Sequence, residues 1–340
     1  MELHTLWFIV IAVLWAGFFF LEGFDFGVGI LAITLTRDED ERSQALAAIG
    51  PVWDADEVWL ITGAAAIFAA FPAWYAGLFA AAYLPLLLVI IGLVVRALSI
   101  EYRLKRSSPR WQHRWDLGIA LTCAALPFLF GLLWAGLLQG LPIDAQGRLA
   151  DLTGLEIISP YSILGGLAVL TFSMAHGAGF LAMKTLDPIR SRATAWATRL
   201  EGIAAVTMAA FVAWTALQFS RGDRWVLVTG AVSVLAMLIA LVATGRHRHG
   251  LAFGFNAVAI LGYVATIFIA LAPNAIPSSL DPAADLTLAA AAAADYPLTV
   301  MTIVLVVAFP IVLLYQGWSF WVFRQRIAMP SQPTRTPGRQ

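Results

Sequence analysis

The sequence predicts an all-α polytopic membrane protein with nine transmembrane helices. Three observations carry that reading. Of the 340 residues, 60% are hydrophobic and 12% charged, and the mean hydropathy is +0.81. A soluble domain is about half apolar and about a quarter charged, so charge this sparse does not cover a globule of this size. Apolar runs recur at the roughly 20 residues a helix needs to cross a bilayer. Lysine and arginine gather in every second connection between those runs. The formal charge is +0 but its positive residues are sorted by position, so the charge balance itself says nothing about nucleic acid; no nucleic-acid partner is expected of such a membrane chain.

The runs lie at approximately Leu6–Leu35, Glu57–Phe71 (extended back to Asp54), Ala76–Ile100, Leu117–Gln139, Pro160–Met183, Leu200–Phe219, Trp225–Thr244, Leu251–Leu271 and Leu298–Phe323. Barrel strands alternate over about ten residues, whereas these runs are longer and continuously apolar, so they are read as helices. Met1 to Thr5 carry no Lys or Arg and so no basic n-region ahead of the first run, and no small-residue cleavage motif follows. The run is read as a retained helix, not a secretory signal. The connection Pro273–Pro297 holds the alanine tract Ala289–Ala294, which predicts a short interfacial helix. Residues 329–340, rich in Pro, Arg and Gln, read as a disordered tail, and 1–328 as a single transmembrane domain.

Cytoplasmic loops collect Lys and Arg. Arg37 and Arg42 follow the first helix, Arg103 to Arg114 the third, Lys184 to Arg199 the fifth, Arg246 and Arg248 the seventh, and Arg324 onward the ninth. The alternate connections hold Arg148, Arg221 and Arg224. A missed helix would scramble this alternation. The bias places the N-terminus outside and the C-terminus in the cytoplasm.

Charge inside a bilayer is costly, by at least about 2.5–3.5 kcal/mol on insertion scales, and marks function. Helix one carries Glu22 and Asp25, which i,i+3 spacing puts on one face with Gly29. Gly23 and Gly27 form a second smooth surface for close helix approach. The acid pair reads either as a proton carrier or as a packing pair tied to a buried Arg. Helix two opens with Gly50-Pro-Val-Trp53-Asp54-Ala-Asp56-Glu57-Val-Trp59. Asp54 followed by Glu57 resembles a capping box, and acids in a first turn suit the helix dipole. The alternative is that Asp54, Asp56 and Glu57 open a proton route at the cytoplasmic side.

Arg96, inside helix three, either snorkels to the interface or pairs with one of these acids. Asp116 is expected to cap helix four. Glu201 is expected to snorkel or to pair with a nearby Arg. His176 in helix five reads as a hydrogen-bonded packing residue more readily than as a haem ligand. The one cysteine, Cys123, rules out an intramolecular disulfide. No CxxC, CxxCH or nucleotide-binding loop is present, and no metal site is expected.

Taken together these residues resemble the second subunit of cytochrome bd-type quinol oxidases. Glu22-Gly-Phe-Asp-Phe-Gly-Val-Gly is similar to that family's segment in helix one. Gly50-Pro-Val-Trp-Asp-Ala-Asp-Glu-Val-Trp-Leu is similar to its helix-two start, with Ala55 and Asp56 standing where Gly and Asn are usual. Phe68-Ala-Ala-Phe-Pro, Tyr83-Leu-Pro, Arg96 with Glu101-Tyr-Arg103, Trp115-Asp116, His176-Gly-Ala and Pro310-Ile-Val-Leu-Leu-Tyr315 follow in the family's order. The resemblance spans essentially the whole chain. It implies two four-helix bundles plus one peripheral helix, packed on a first subunit that carries haem b, haem d and the quinol-oxidising loop. It implies that this chain alone binds no haem. It further implies an inner-membrane complex that oxidises quinol and reduces dioxygen to water, taking scalar protons from the cytoplasm without pumping. A structural quinone in this chain and a small accessory subunit accompany that expectation.

Two other classes fit parts of the sequence. A proton-coupled secondary transporter would use the buried acids, but such folds show matched helix breaks in two halves, and no second break answers the glycines of helix one. A stand-alone electron carrier would need paired haem ligands, which the sequence lacks.

Overall fold

The computed structural model describes residues 2–144, 149 and 154–327. Its helices in chain order are α1 (Leu3–Thr34), α2 (Glu39–Ala47), α3 (Trp53–Ala70), α4 (Pro72–Ala81), α5 (Tyr83–Arg103), α6 (Pro109–Gln139), α7 (Pro160–Lys184), α8 (Ile189–Gln218), α9 (Arg224–Gly245), α10 (His249–Leu271), α11 (Leu288–Ala291) and α12 (Asp295–Val322). Two short antiparallel strands, β1 (Asn274–Ile276) and β2 (Leu286–Thr287), sit between α10 and α11. The protein is all-α and crosses the membrane many times.

Eight helices, α1, α5 to α10 and α12, are each long and apolar enough to span a bilayer, and α3 with α4 passes the same test only as a pair bent by 118°. The bend follows from Phe71-Pro72. Proline has no N–H to donate and its ring clashes with the preceding turn, and Phe71 leaves helical geometry at φ −137° and ψ 69°. Buried Trp74 fills the corner, with ring centroids 5.7 Å from Phe71 and 6.2 Å from Trp134. Arg42, just after α1, and Arg103, at the end of α5, both bond Asp116. The chain therefore returns across the membrane between them, and the α3–α4 pair is that ninth, broken span among the described residues.

Spans α1, α3, α5 and α6 pack as one bundle and α7 to α10 as a second. Helices α1 and α6 join them, α1 lying against α7 and α10 and α6 against α7. The join is tightest at Gly27: a methyl placed there would overlap the Ser173 carbonyl oxygen and sit 2.8 Å from the Gly177 Cα. Side-chain-free contact of this kind lets two helix backbones approach closely. Above it an aromatic layer fills the core, with Phe18 5.0 Å from Phe130 and Trp15 4.9 Å from Trp134. Helix α12 lies outside, against α1 and α3, and its buried residues are Leu298 and Gln316. The outward faces carry exposed Leu, Ile and Val, among them Leu88, Ile90, Val306 and Leu314.

Several boundaries differ from those the sequence predicts. The third span begins at Tyr83 rather than Ala76, because Pro72–Ala81 is a separate helix across the bend. Helices α6 and α8 begin at Pro109 and Ile189, well before the expected Leu117 and Leu200. Hydropathy falls where the charged residues start, while the backbone hydrogen bonds continue out of the apolar zone. Helix α2 was not expected, since its sequence Glu-Asp-Glu-Arg-Ser-Gln is polar on all sides. The alanine tract yields only the four-residue α11, bonded into the β1–β2 hairpin region. The tail 329–340 lies outside the described residues.

Candidate functional site: a buried acid cluster around Arg96

The site is assembled from three helices that each present polar groups on one face. On α1, Glu22, Asp25 and Phe26 stand at i, i+3 and i+4. On α3, Trp53, Asp56 and Glu57 repeat the same spacing. Arg96 of α5 reaches between them and is fully buried, as are Glu22, Asp25 and Asp56.

Arg96 forks onto Glu22, its two terminal nitrogens each 3.0 Å from a carboxylate oxygen. One of these contacts, Nη1 to Oε1, is a hydrogen bond, and the other is an ion-pair contact without hydrogen-bond geometry. The same guanidinium lies 3.4 Å from Glu57, which is 17% exposed. Its flat faces meet Phe26 at 4.9 Å and Trp53 at 5.7 Å, so aromatic rings take the place of water around the cation. Asp25 faces Asp56, Glu22 and Arg96, and no side-chain donor reaches either of its oxygens. Asp56 accepts a 2.6 Å hydrogen bond from Gln316 of α12. Four carboxyls thus gather around one guanidinium, which contacts two of them, Glu22 and Glu57, in a region of low dielectric, where isolated ionised groups are strongly disfavoured.

Asp54 stands apart from this set. It is exposed, and α3 starts from Val52 with no side-chain cap. The expected Asp54/Glu57 capping box is absent because both residues already lie inside the helix and Glu57 points to Arg96. Exposure falls from Asp54 through Glu57 to Asp56, Asp25 and Glu22.

The glycines have separate neighbours. Gly27 abuts α7, whereas Gly29 abuts Cys123 and Ile119 of α6. Gly23 has ordinary contacts, Ser173 Oγ at 3.8 Å and His176 Cδ2 at 3.9 Å. Trp59 fills the notch at Gly17 and meets Phe309 of α12 edge-on at 6.1 Å.

A second polar network ties the basic loops together at the end nearest the cluster. Asp116 lies about one-quarter of the way along α6 rather than at its cap, and accepts from Arg103 at 2.5 Å and Arg42 at 3.1 Å. Arg103 also bonds Glu39 and Ser43 of α2. Glu41 accepts from Arg192 at 2.5 Å and from the Arg37 amide at 2.7 Å. The hydrogen bond from Arg192, and then that amide, hold the Glu41 carboxyl below its ordinary range against the cost of burying it.

One sequence expectation is corrected by the second bundle. Glu201 neither snorkels nor meets an Arg; Thr244 donates to it at 2.9 Å and Asn256 at 3.1 Å. His176 is buried in the packing and stacks on Phe253 at 4.3 Å and 11°. Gln316 is the cluster member that sequence reading missed. Its signal was an amide within the apolar run Ile311 to Trp318.

The family model of cytochrome bd terminal oxidase subunit II matches residues 3–323. The chain belongs to this family. It is 40% identical over 330 residues to cytochrome bd ubiquinol oxidase subunit 2 of Bacillus subtilis (strain 168), covering 96% of this chain and 97% of that protein. It is 30% identical over 360 residues to cytochrome bd-I ubiquinol oxidase subunit 2 of Escherichia coli (strain K12), covering 96% and 95% respectively. Its fold is similar to a chain of the bd oxidase structure from Geobacillus thermodenitrificans, with TM-score 0.78 and 19% identity over 95% of this chain and 97% of that one. As a bd oxidase second subunit, the chain is part of a membrane-bound oxidoreductase complex.

Proposed function

We propose that this subunit works beside a haem-bearing subunit I in a bacterial inner membrane, with its basic end in the cytoplasm and its N-terminus outside, and that its acid cluster feeds protons toward the partner's oxygen-reducing haem. The complex oxidises quinol and reduces dioxygen to water. Haem b and haem d are assigned to subunit I and supply the electron transfer there.

The observation that carries the proton reading is the graded burial of Asp54, Glu57, Asp56 and Asp25 beside Arg96. Asp54 meets the aqueous face, Glu57 is half-buried against the guanidinium, and Asp56 faces Asp25 in the interior. The carboxyls gathered beside one cation bring titratable groups face to face, and in this reading a proton passes between the facing carboxyls while the helices stay in place. Arg96 anchors Glu22 and sets the field in which the others exchange. Asp25 and Asp56 are the carriers in this reading, with Asp54 and Glu57 as the entry.

The apolar groove between α1, α3 and α12, about 470 Å³ and lined by Trp7, Trp59, Met301 and Phe309, suits the isoprenoid tail of a structural quinone. The exposed apolar faces of α3 and α5 suit lipid, subunit I or a small accessory subunit.

The test is oxygen consumption by the purified oxidase carrying Asp25→Asn or Asp56→Asn. Each keeps side-chain shape and removes the titratable proton. Turnover is expected to fall at least about tenfold, about 1.4 kcal/mol on the limiting step, with haem content unchanged. Full turnover in both variants with haems intact would reduce the cluster to a packing device.

A further inference from the structure

Glu201 lies on α8 in the second bundle, away from the cluster just described, and is fully buried, as is Asn256 on α10. Its Oε1 accepts from Thr244 Oγ1 at 2.9 Å and from Asn256 Nδ2 at 3.1 Å. Two atoms of this group are left over: Glu201 Oε2 and Asn256 Oδ1 have no hydrogen-bond partner. One belongs to each member of a pair already joined by one hydrogen bond. Both are acceptors when Glu201 is ionised, and two buried acceptors side by side are unfavourable. A proton on Oε2 supplies the missing donor and closes a two-bond ring between acid and amide.

The surroundings give an ionised Glu201 no countercharge. Asp187, Arg190, His247 and His249 line a vestibule of about 470 Å³ at the basic end, and His176 and Lys184 face inward from α7. Among the described residues none of these bonds or ion-pairs with Glu201. Thr244 belongs to both places: it lines the vestibule and donates to the carboxyl.

We propose that Glu201, Asn256 and Thr244 form a second proton-binding site, in the α7–α10 bundle, that holds Glu201 as a neutral acid locked to Asn256 and exchanges its proton with the vestibule through the Thr244 hydroxyl. In the loading step, Thr244 passes its hydroxyl proton to the Glu201 carboxylate and its oxygen takes one from hydronium in the vestibule, which leaves as water. Rotation of the carboxyl then presents the proton to Asn256 Oδ1. The site is independent of the Arg96 cluster, and the ligand it binds is the proton.

Infrared difference spectra of the oxidase purified with its partner subunit test this at neutral pH. Wild type minus Glu201→Gln is expected to show a carboxylic-acid C=O band that shifts in D2O. Gln has the shape of the neutral acid and keeps both bonds to Asn256, so the variant should assemble and melt as wild type does. A carboxylate band in place of the acid band would overturn the proposal. If Glu201→Gln does not assemble, Asn256→Ala serves: the acid band should move to higher frequency when its amide partner goes, and an unmoved band would overturn the lock. Thr244→Val should slow the D2O shift at least about tenfold, about 1.4 kcal/mol on that step; unchanged exchange would overturn loading from the vestibule.

Discussion

Gln316 Nε2 lies 2.6 Å from Asp56 Oδ1, and this hydrogen bond pins the peripheral helix α12 to the acid cluster. Elsewhere α12 is largely uncovered, with Leu298 as its other buried residue. Gln316→Leu leaves a buried acid oxygen unsatisfied, which costs about 1–3 kcal/mol. The expected result is a lower melting temperature of the purified subunit, with the other eight spans still formed by circular dichroism. An unchanged melting temperature would show that α12 is held without this bond, by its apolar contacts and by Trp7, which donates to the Leu298 carbonyl and to Thr302 Oγ1.

Removing the single cation of the cluster should be more damaging. Arg96→Met strands Glu22 and Glu57, and breaking a buried pair costs about 3–5 kcal/mol. Adding Glu22→Gln should restore part of that loss, because the uncompensated charge is then gone. A double-mutant cycle on thermal stability measures the coupling, and strict additivity would mean that the pair contributes nothing.

The glycines of α1 make opposite predictions. Gly27→Ala puts a methyl against the backbone of α7, 2.8 Å from Gly177 Cα, so recovery of assembled oxidase should drop sharply. Gly23→Ala, though buried, meets its nearest neighbours at 3.8 and 3.9 Å, ordinary van der Waals contact, and should be recovered as wild type is. Equal yields of the two variants would contradict this packing.

Acid should loosen the tie between α2 and α8. Glu41 is held below its ordinary range chiefly by Arg192. A depressed folded-state value means that its contribution is fully present above the ordinary carboxylate range and is lost as pH falls through the lowered value. Wild type should therefore be more stable than Glu41→Gln at neutral pH and lose that advantage in acid. Parallel stability curves for the two proteins across the range would rule out the linkage.

The spans were readable because hydropathy needs no knowledge of neighbours, and Glu22, Asp25 and Arg96 stood out as charges in apolar helices. The bend at Phe71-Pro72 was in plain view yet hidden, since the residues on both sides are equally apolar and hydropathy is blind to direction. Asp116 was misread as a cap because its partners, Arg42 and Arg103, come from two other connections. Glu201 was expected to snorkel or to pair with an Arg and does neither; Thr244 and Asn256 reach it only through the packing of α8 on α9 and α10. Gln316 carries no charge, so its value as a partner for Asp56 depends wholly on where α12 docks.

The contact between Gly27 and Gly177 has a mechanical consequence. Backbone rests on backbone there, with no side chain to rotate aside, and it lies where the two bundles join. Sliding or rocking one bundle on the other would drive main chain into main chain. The subunit is thereby a stiff frame, unsuited to the alternating halves of a carrier. Any traffic through it has to be light enough to hop between side chains while the helices stay still.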